Sequence, residues 1–319
     1  MIDPLAVPDP TSPAEHHADF LELCAFRSSK RSISFQEFVR DLRMASATET
    51  LLDSEQWDDE GEGDERSEGL AEAAFAELDE RRRCCGGRTD RYPFDIEGES
   101  LSLGPSPEES LYTFLALLSG FGKDAGPDGA DGEKLFEEIC AKVAEAYLGG
   151  PGERARSFVF GFPRRVKPPG FAQALDELCK ELGEGNGHHT GRPKLPDQKD
   201  AKLDIVAWVE FADGRQGKLI TFGQCATGRN WGDKVSELPR PDDWCKHWMA
   251  DSPAVAPIRS FFVPHRVEQE KWSHTCTFGG ILYDRCRIAS LAANLGADLK
   301  RQWTNWSSHV LGEIGETHG

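Results

Sequence analysis

The chain has 319 residues, with 37 Lys or Arg against 55 Asp or Glu, a formal charge of −18 and a pI near 5.0. Taken whole, that balance argues against a general nucleic-acid binder, which carries a net positive field. The surplus is unevenly placed: residues 1–150 hold 34 acidic and 14 basic side chains, whereas residues 151–319 hold 21 and 23. The chain therefore divides into an acidic, mainly helical region, 1–150, and a near-neutral domain, 151–319. No stretch approaches the roughly 18 consecutive apolar residues of a membrane span. The first residues, MIDPLAVPDPTSP, have neither a basic nor an apolar signal segment. Nine cysteines without a CxxC pair point to the cytoplasm, with thiols acting as small core residues.

In chain order, residues 1–13 read as a frayed, Pro-rich end. Phe20, Leu21, Leu23, Cys24 and Phe26 mark a short helix, and Ser34-Phe-Gln-Glu37 is a capping box for a second. The pair suits a helical hairpin, or half of a helix-turn-helix. Residues 53–68, DSEQWDDEGEGDERSE, read as a flexible acidic loop, and a helix follows from Leu70 to Arg83. Residues 91–103 suit a strand pair. Helices are expected over 108–122 and 134–148, the second stopped by Gly149-Gly150-Pro151.

The second half alternates. A helix spans Phe171–Leu182, a strand Leu203–Phe211, a turn 212–217 and a return strand Lys218–Ala226. Asn230 is placed to cap a further helix, Ile258–Val263 reads as a strand, and 280–295 as a closing helix. Helix, hairpin, helix, strand, helix makes an α/β domain.

The chemistry is concentrated at this hairpin. A turn centred on Gly214 puts Asp204 directly across from Gln224, with Val206, Trp208 and Glu210 on the face of Asp204. A carboxylate and an amide oxygen at cross-strand spacing can hold a hard divalent cation, with Asp200 as a possible addition. Lys234, on the next helix, is placed to orient water or stabilise charge on a phosphoryl oxygen, with Arg229 as competitor. Cys245, His247, His274 and Cys276 offer a weaker zinc-like set at spacings shorter than usual.

These residues resemble the PD-(D/E)xK nuclease superfamily, most nearly its Mrr-type restriction endonucleases, over Phe171 to Val263. The resemblance implies a restriction-endonuclease-like αβββαβ core in the C-terminal half. It implies a Mg²⁺- or Mn²⁺-dependent endonuclease acting on DNA, with RNA left open, in restriction or antiphage defence. It makes Asp204 the metal-binding Asp, Gln224 the Glu/Gln of the motif, the Cys225 carbonyl a further ligand and Glu177 the acidic residue of the first helix. The motif's Lys position is Ala226 here, so Lys234 is taken as a displaced equivalent. Arg164, Arg165, Lys167, His188, His189 and Arg229 are candidate phosphate contacts. The competing expectation is a nuclease-fold protein without catalysis, acting through a partner docked on the acidic region.

Overall fold

The structure is a computed structural model that describes residues 5–52, 60–88, 90–150, 154–161, 170–191, 201–293 and 295–316. Among the described residues the chain is mixed α/β, with eleven α-helices and two sheets of three and five strands. The first 150 residues form α1 (Ala14–Arg27), β1 (Ser32–Ser34), α2 (Phe35–Leu52), α3 (Glu60–Cys84), β2 (Phe94–Glu97), β3 (Ser100–Leu103), α4 (Leu111–Phe121) and α5 (Gly132–Tyr147). There follow β4 (Ala155–Val159), α6 (Phe171–Leu182), β5 (Ile205–Val209), β6 (Ile220–Cys225), α7 (Trp231–Lys234), α8 (Pro241–Trp248), β7 (Ile258–Phe262), α9 (Gln269–Gly279), β8 (Ile281–Tyr283), α10 (Arg285–Ser290) and α11 (Ala297–Glu316).

Local chemistry accounts for several boundaries. The capping box is formed reciprocally: Glu37 Oε2 accepts from Ser34 N–H at 2.8 Å, and Ser34 Oγ accepts from Glu37 N–H at 3.2 Å. Asp131 caps α5 by accepting from the backbone of Glu133 and Lys134. The expected acidic loop is corrected over its second part, because residues 60–68 are helical and belong to α3; residues 53–59 lie outside the described residues. Ala71, Ala74 and Leu78 give α3 a buried stripe, and Arg43 of α2 pairs with Asp64 and Glu68 at 2.8 and 3.1 Å. The acidic side chains thus decorate a packed helix. Asn230 precedes only one helical turn and its side chain makes no cap bond, so the longer helix expected after it is not formed. The expected helix over 280–295 is likewise replaced by β8 and the short α10. Gly280, at φ 79°, turns the chain so that Ile281–Tyr283 pairs parallel with β7.

The small sheet has the order β1-β3-β2, all antiparallel. The large sheet has the order β4-β5-β6-β7-β8. Its first three strands are antiparallel to their neighbours, and β7 and β8 run parallel to β6. Alternation sorts the faces. Val206, Trp208, Ile220 and Phe222 pack under α6 and α8 with Leu175, Leu178 and Trp244. Ile205, Ala207 and Phe262 point the other way into a core shared with α1, α3, α4 and α5. The division at residue 150 falls between α5 and β4, yet α5 packs on β4, β5 and β6, so the acidic region supplies one layer over the sheet.

A buried polar network also joins the halves. Arg81 of α3 and Arg285 of α10 both donate to Asp19 Oδ1 at 2.7 Å and to Glu22 Oε2, at 2.9 and 3.3 Å. Tyr92 and Tyr112 donate to Glu22 Oε1 at 2.9 and 2.8 Å. Burial pushes the Glu22 carboxyl up against the opposing pull of the two guanidinium groups. Asp19 is desolvated too, but Arg285 and Arg81 more than offset this and hold it below the usual carboxylate range.

Candidate functional site

The expected register is the observed one: Ile205 faces Gly223 and Val206 faces Phe222, which brings Asp204 beside Gln224 along the ladder. At Asp204 the ladder departs from regularity. Its N–H donates to Gly223 O at 3.0 Å, and its carbonyl accepts from both Phe160 and Gly161, at 2.6 and 2.9 Å. Two residues opposing one is the arrangement of a bulge, which re-aims a side chain. The Asp204 carboxylate accepts from Cys225 N–H at 2.7 Å. Gln224 points elsewhere: it is buried, and its Oε1 accepts from Leu238 N–H at 3.2 Å. The Asp204 carboxylate and the Gln224 amide oxygen are thus each engaged by a backbone N–H, that of Cys225 and that of Leu238.

The Asp204 carboxylate also acts electrostatically on Glu137 of α5. Burial raises the Glu137 carboxyl to about 8, the negative charge of Asp204 adds to the rise, and Lys134 opposes it. Lys134 Nζ donates to both Glu137 oxygens at 2.8 Å, and the pair is largely shut from solvent. Gly161 is needed here because a Cβ at that position would lie 2.5 Å from Glu137 Oε2. Cys225 and Cys140 flank the cluster, and burial together with Cys140 pushes the Cys225 thiol well up, so it stays protonated.

The other expected residues are distributed as follows. Glu177 is half-buried on α6, whose apolar side covers the face of the sheet opposite the one that α5 and Glu137 cover. Lys234 ends the single turn α7 and is half-buried, and the ammonium at the carboxylate pair is that of Lys134. Ala226 is fully buried in a third apolar cluster with Val235 and Phe261. His188 and His189 are held on the α6–α8 face rather than in a free loop: His188 N–H donates to Asp176 Oδ1 at 2.7 Å and His189 N–H to Trp248 O at 2.9 Å. Arg229 is exposed, donating to Gly120 O at 3.3 Å. Arg164, Arg165, Lys167 and Asp200 lie outside the described residues. Cys245 is sealed in the α6–α8 core and Cys276 packs on another cluster, so these two do not meet.

Lys134 and Glu137 carried a faint signal in the sequence. They stand three apart on a helix whose neighbouring Leu135, Phe136, Ile139 and Cys140 are all buried, and charged residues on such a face are rare unless paired. No group of three or more His, Cys, Asp or Glu positioned for a metal occurs among the described residues. No helix among them is long and apolar enough to cross a membrane. Comparison with protein-family models, with curated proteins and with solved structures returned no match.

Proposed function

We propose that the chain is a metal-dependent nuclease built on a restriction-endonuclease-like αβββαβ core, hydrolysing phosphodiester bonds in DNA. The order α5, β4, α6, β5, β6, α7, α8, β7 supports it once α6 is taken as an insertion between the first two strands: β4–β5 and β5–β6 pair antiparallel, and β7 runs parallel to β6. The observation that carries the reading is the buried Glu137 carboxyl of the helix over β5, bound by Lys134 at 2.8 Å and acted on by the negative charge of Asp204 at the head of β5. In this reading the first helix is α5, supplied by the acidic half, and the first strand is β4.

The donor set fits Mg²⁺ or Mn²⁺, because such ions are commonly held by only one or two carboxylates, with water and substrate phosphate completing the shell. Two hard-oxygen donors are present, and Glu137 retains a proton near neutrality partly because Asp204 sits beside it. Asp204 and Glu137 would hold the ion, which supplies charge neutralisation on the phosphoryl oxygens and a more acidic water. Glu137 must lose its proton to serve. Lys134 orients its carboxylate and provides the ammonium that the superfamily pattern carries at the position of Ala226. Asp204 is fixed by Cys225 N–H, which sets the direction of its carboxylate.

The test is cleavage of plasmid and single-stranded DNA with Mg²⁺ or Mn²⁺, beside Asp204→Ala and Glu137→Gln. Loss in both variants is the expected result, and cleavage that survives either one removes that residue from the site. A second reading, a nuclease-fold binding protein without catalysis, is favoured by one observation: Gln224 is engaged with Leu238 and Ala226 is packed in the core. DNA binding by the wild type without cleavage under either metal selects it.

A further inference from the structure

Apart from the carboxylate cluster, a depression of about 710 Å³ lies beyond the carboxyl ends of β6 and β7, walled by α1, the end of α4, the α7 turn and the segment after β7. That is the size of a small-ligand pocket, and the crevice beyond the carboxyl ends of parallel strands is where open α/β sheets take ligands. Residues 6–8, expected to fray, form part of its lining.

Three features of its lining act together. Trp231 and His265 present near-parallel rings, 28° apart with centroids 6.4 Å from each other. Burial holds His265 down at about 4, so its ring is neutral and stackable at neutral pH, and it sits fixed against Thr227 O at 3.2 Å. At the floor, Asp19, Glu22 and Arg285 of the buried ion network line the cavity, and of these Asp19 is the most open, with about 29% of its side chain exposed. Its oxygens are held by Arg81 and Arg285, leaving an oriented acceptor. At the rim, Arg229 is exposed and its contact to Gly120 O uses only one of its five N–H donors. Aromatic faces for a base, a carboxylate for sugar hydroxyls and a guanidinium for phosphate are the complement of one nucleotide.

We propose that this cavity binds a nucleotide unit, either a free mononucleotide or an unpaired nucleotide of a DNA strand. The free-nucleotide source is independent of the nuclease reading, and only the strand source rests on it. Trp231 and Arg229 are the residues to change, because neither belongs to the buried ion network or to the Asp204–Glu137 pair.

The experiment is calorimetric titration of the full chain without added metal. The probes are dAMP, deoxyadenosine, inorganic phosphate and a short single-stranded oligodeoxynucleotide, with Trp231→Ala and Arg229→Ala alongside. The wild type should bind dAMP or the oligonucleotide, with deoxyadenosine and phosphate each weaker. Trp231→Ala should weaken binding by about tenfold, the scale of a lost base–aromatic stack. Arg229→Ala should weaken dAMP but leave deoxyadenosine unchanged. Binding of dAMP alone identifies a free nucleotide as the ligand, and binding of the oligonucleotide alone identifies the strand. The proposal is overturned if neither binds at millimolar concentration, if phosphate binds as tightly as dAMP, or if both variants bind like the wild type. Because no metal is added and no cleavage is read, failure here leaves the nuclease reading to its own assay.

Discussion

The Asp204 carboxylate accepts the backbone N–H of Cys225 at 2.7 Å, so one side chain ties the head of β5 to the end of β6. A charged acceptor on a part-buried N–H has a structural value apart from any chemistry, roughly 1.5–3 kcal/mol. Asp204→Ala should therefore lower stability in urea by about that amount, and it should abolish cleavage. Asp204→Asn keeps an acceptor of the same shape. It is expected to recover most of the stability and none of the cleavage. If Asp204→Asn cleaves like the wild type, the residue is a clamp and nothing more.

Glu137 makes stability depend on pH in a definite direction. Its folded carboxyl lies at about 8, above the ordinary value of 4.5, so between these values the native state binds more protons than the unfolded one. Its contribution is fully present below pH 4.5 and is lost as pH rises through 8. Thermal unfolding of Glu137→Gln should accordingly vary less with pH between 5 and 8, and its Tm relative to wild type should improve toward pH 8. Added Mg²⁺, which requires the deprotonated carboxylate, is expected to offset this loss at high pH in the wild type alone. Parallel Tm profiles for the two proteins would show that Glu137 does not titrate in this window.

How much of this could be read from residues alone differs by region. The hairpin register was legible because a turn centred on Gly214 fixes which residues face each other, and the observed pairs Ile205–Gly223 and Val206–Phe222 follow from it. The capping box at Ser34 and Glu37 was legible because its chemistry is local. Glu137 was missed because its partner lies 67 residues away, across a domain boundary drawn from charge, and charge reports on surface rather than packing. Residues 155–159 were not recognised as β4 because ARSFV is short and carries Arg156 and Ser157 in its middle, and the pairing with β5 that defines the strand is set across α6. The length of the helix bearing Lys234 was misjudged, because Trp231 onward forms one turn where a longer helix was expected. Asp204 turned from Gln224 through a bulge, a feature that no alternation rule reveals.

The guanidinium of Arg81 supports a testable claim about the join between the halves. It is fully buried and pairs with Asp19, Glu22 and Glu77 at 2.7, 2.9 and 2.9 Å. Removing one member of a buried ionic group leaves the others uncompensated, which costs about 3–5 kcal/mol. Arg81→Met should show a loss of that order in equilibrium urea unfolding. Glu22→Gln should cost less, since burial already favours the protonated carboxyl there. The double variant should then be more stable than the sum of the two single losses. Strict additivity would mean that Arg81 and Glu22 are not energetically coupled.

The acidic half raises a different question, because its charge stands on an ordered helix. Glu65 and Glu72 are exposed on α3, while Asp64 and Glu68 are the ones that pair with Arg43. Glu65 and Glu72 can thus be changed without disturbing the α2–α3 contact. If the acidic surface repels or mimics the DNA backbone, Glu65→Lys with Glu72→Lys should strengthen DNA binding at low salt. The gain should shrink as salt rises, since the screening length falls from about 10 Å at 0.1 M to about 3 Å at 1 M. The measurement is the slope of log affinity against log salt, which should become steeper in the variant as more phosphate contacts release counterions. Unchanged affinity and slope would assign this surface to solubility or to a protein partner, and a pull-down that loses a protein in the lysine variant would separate those two.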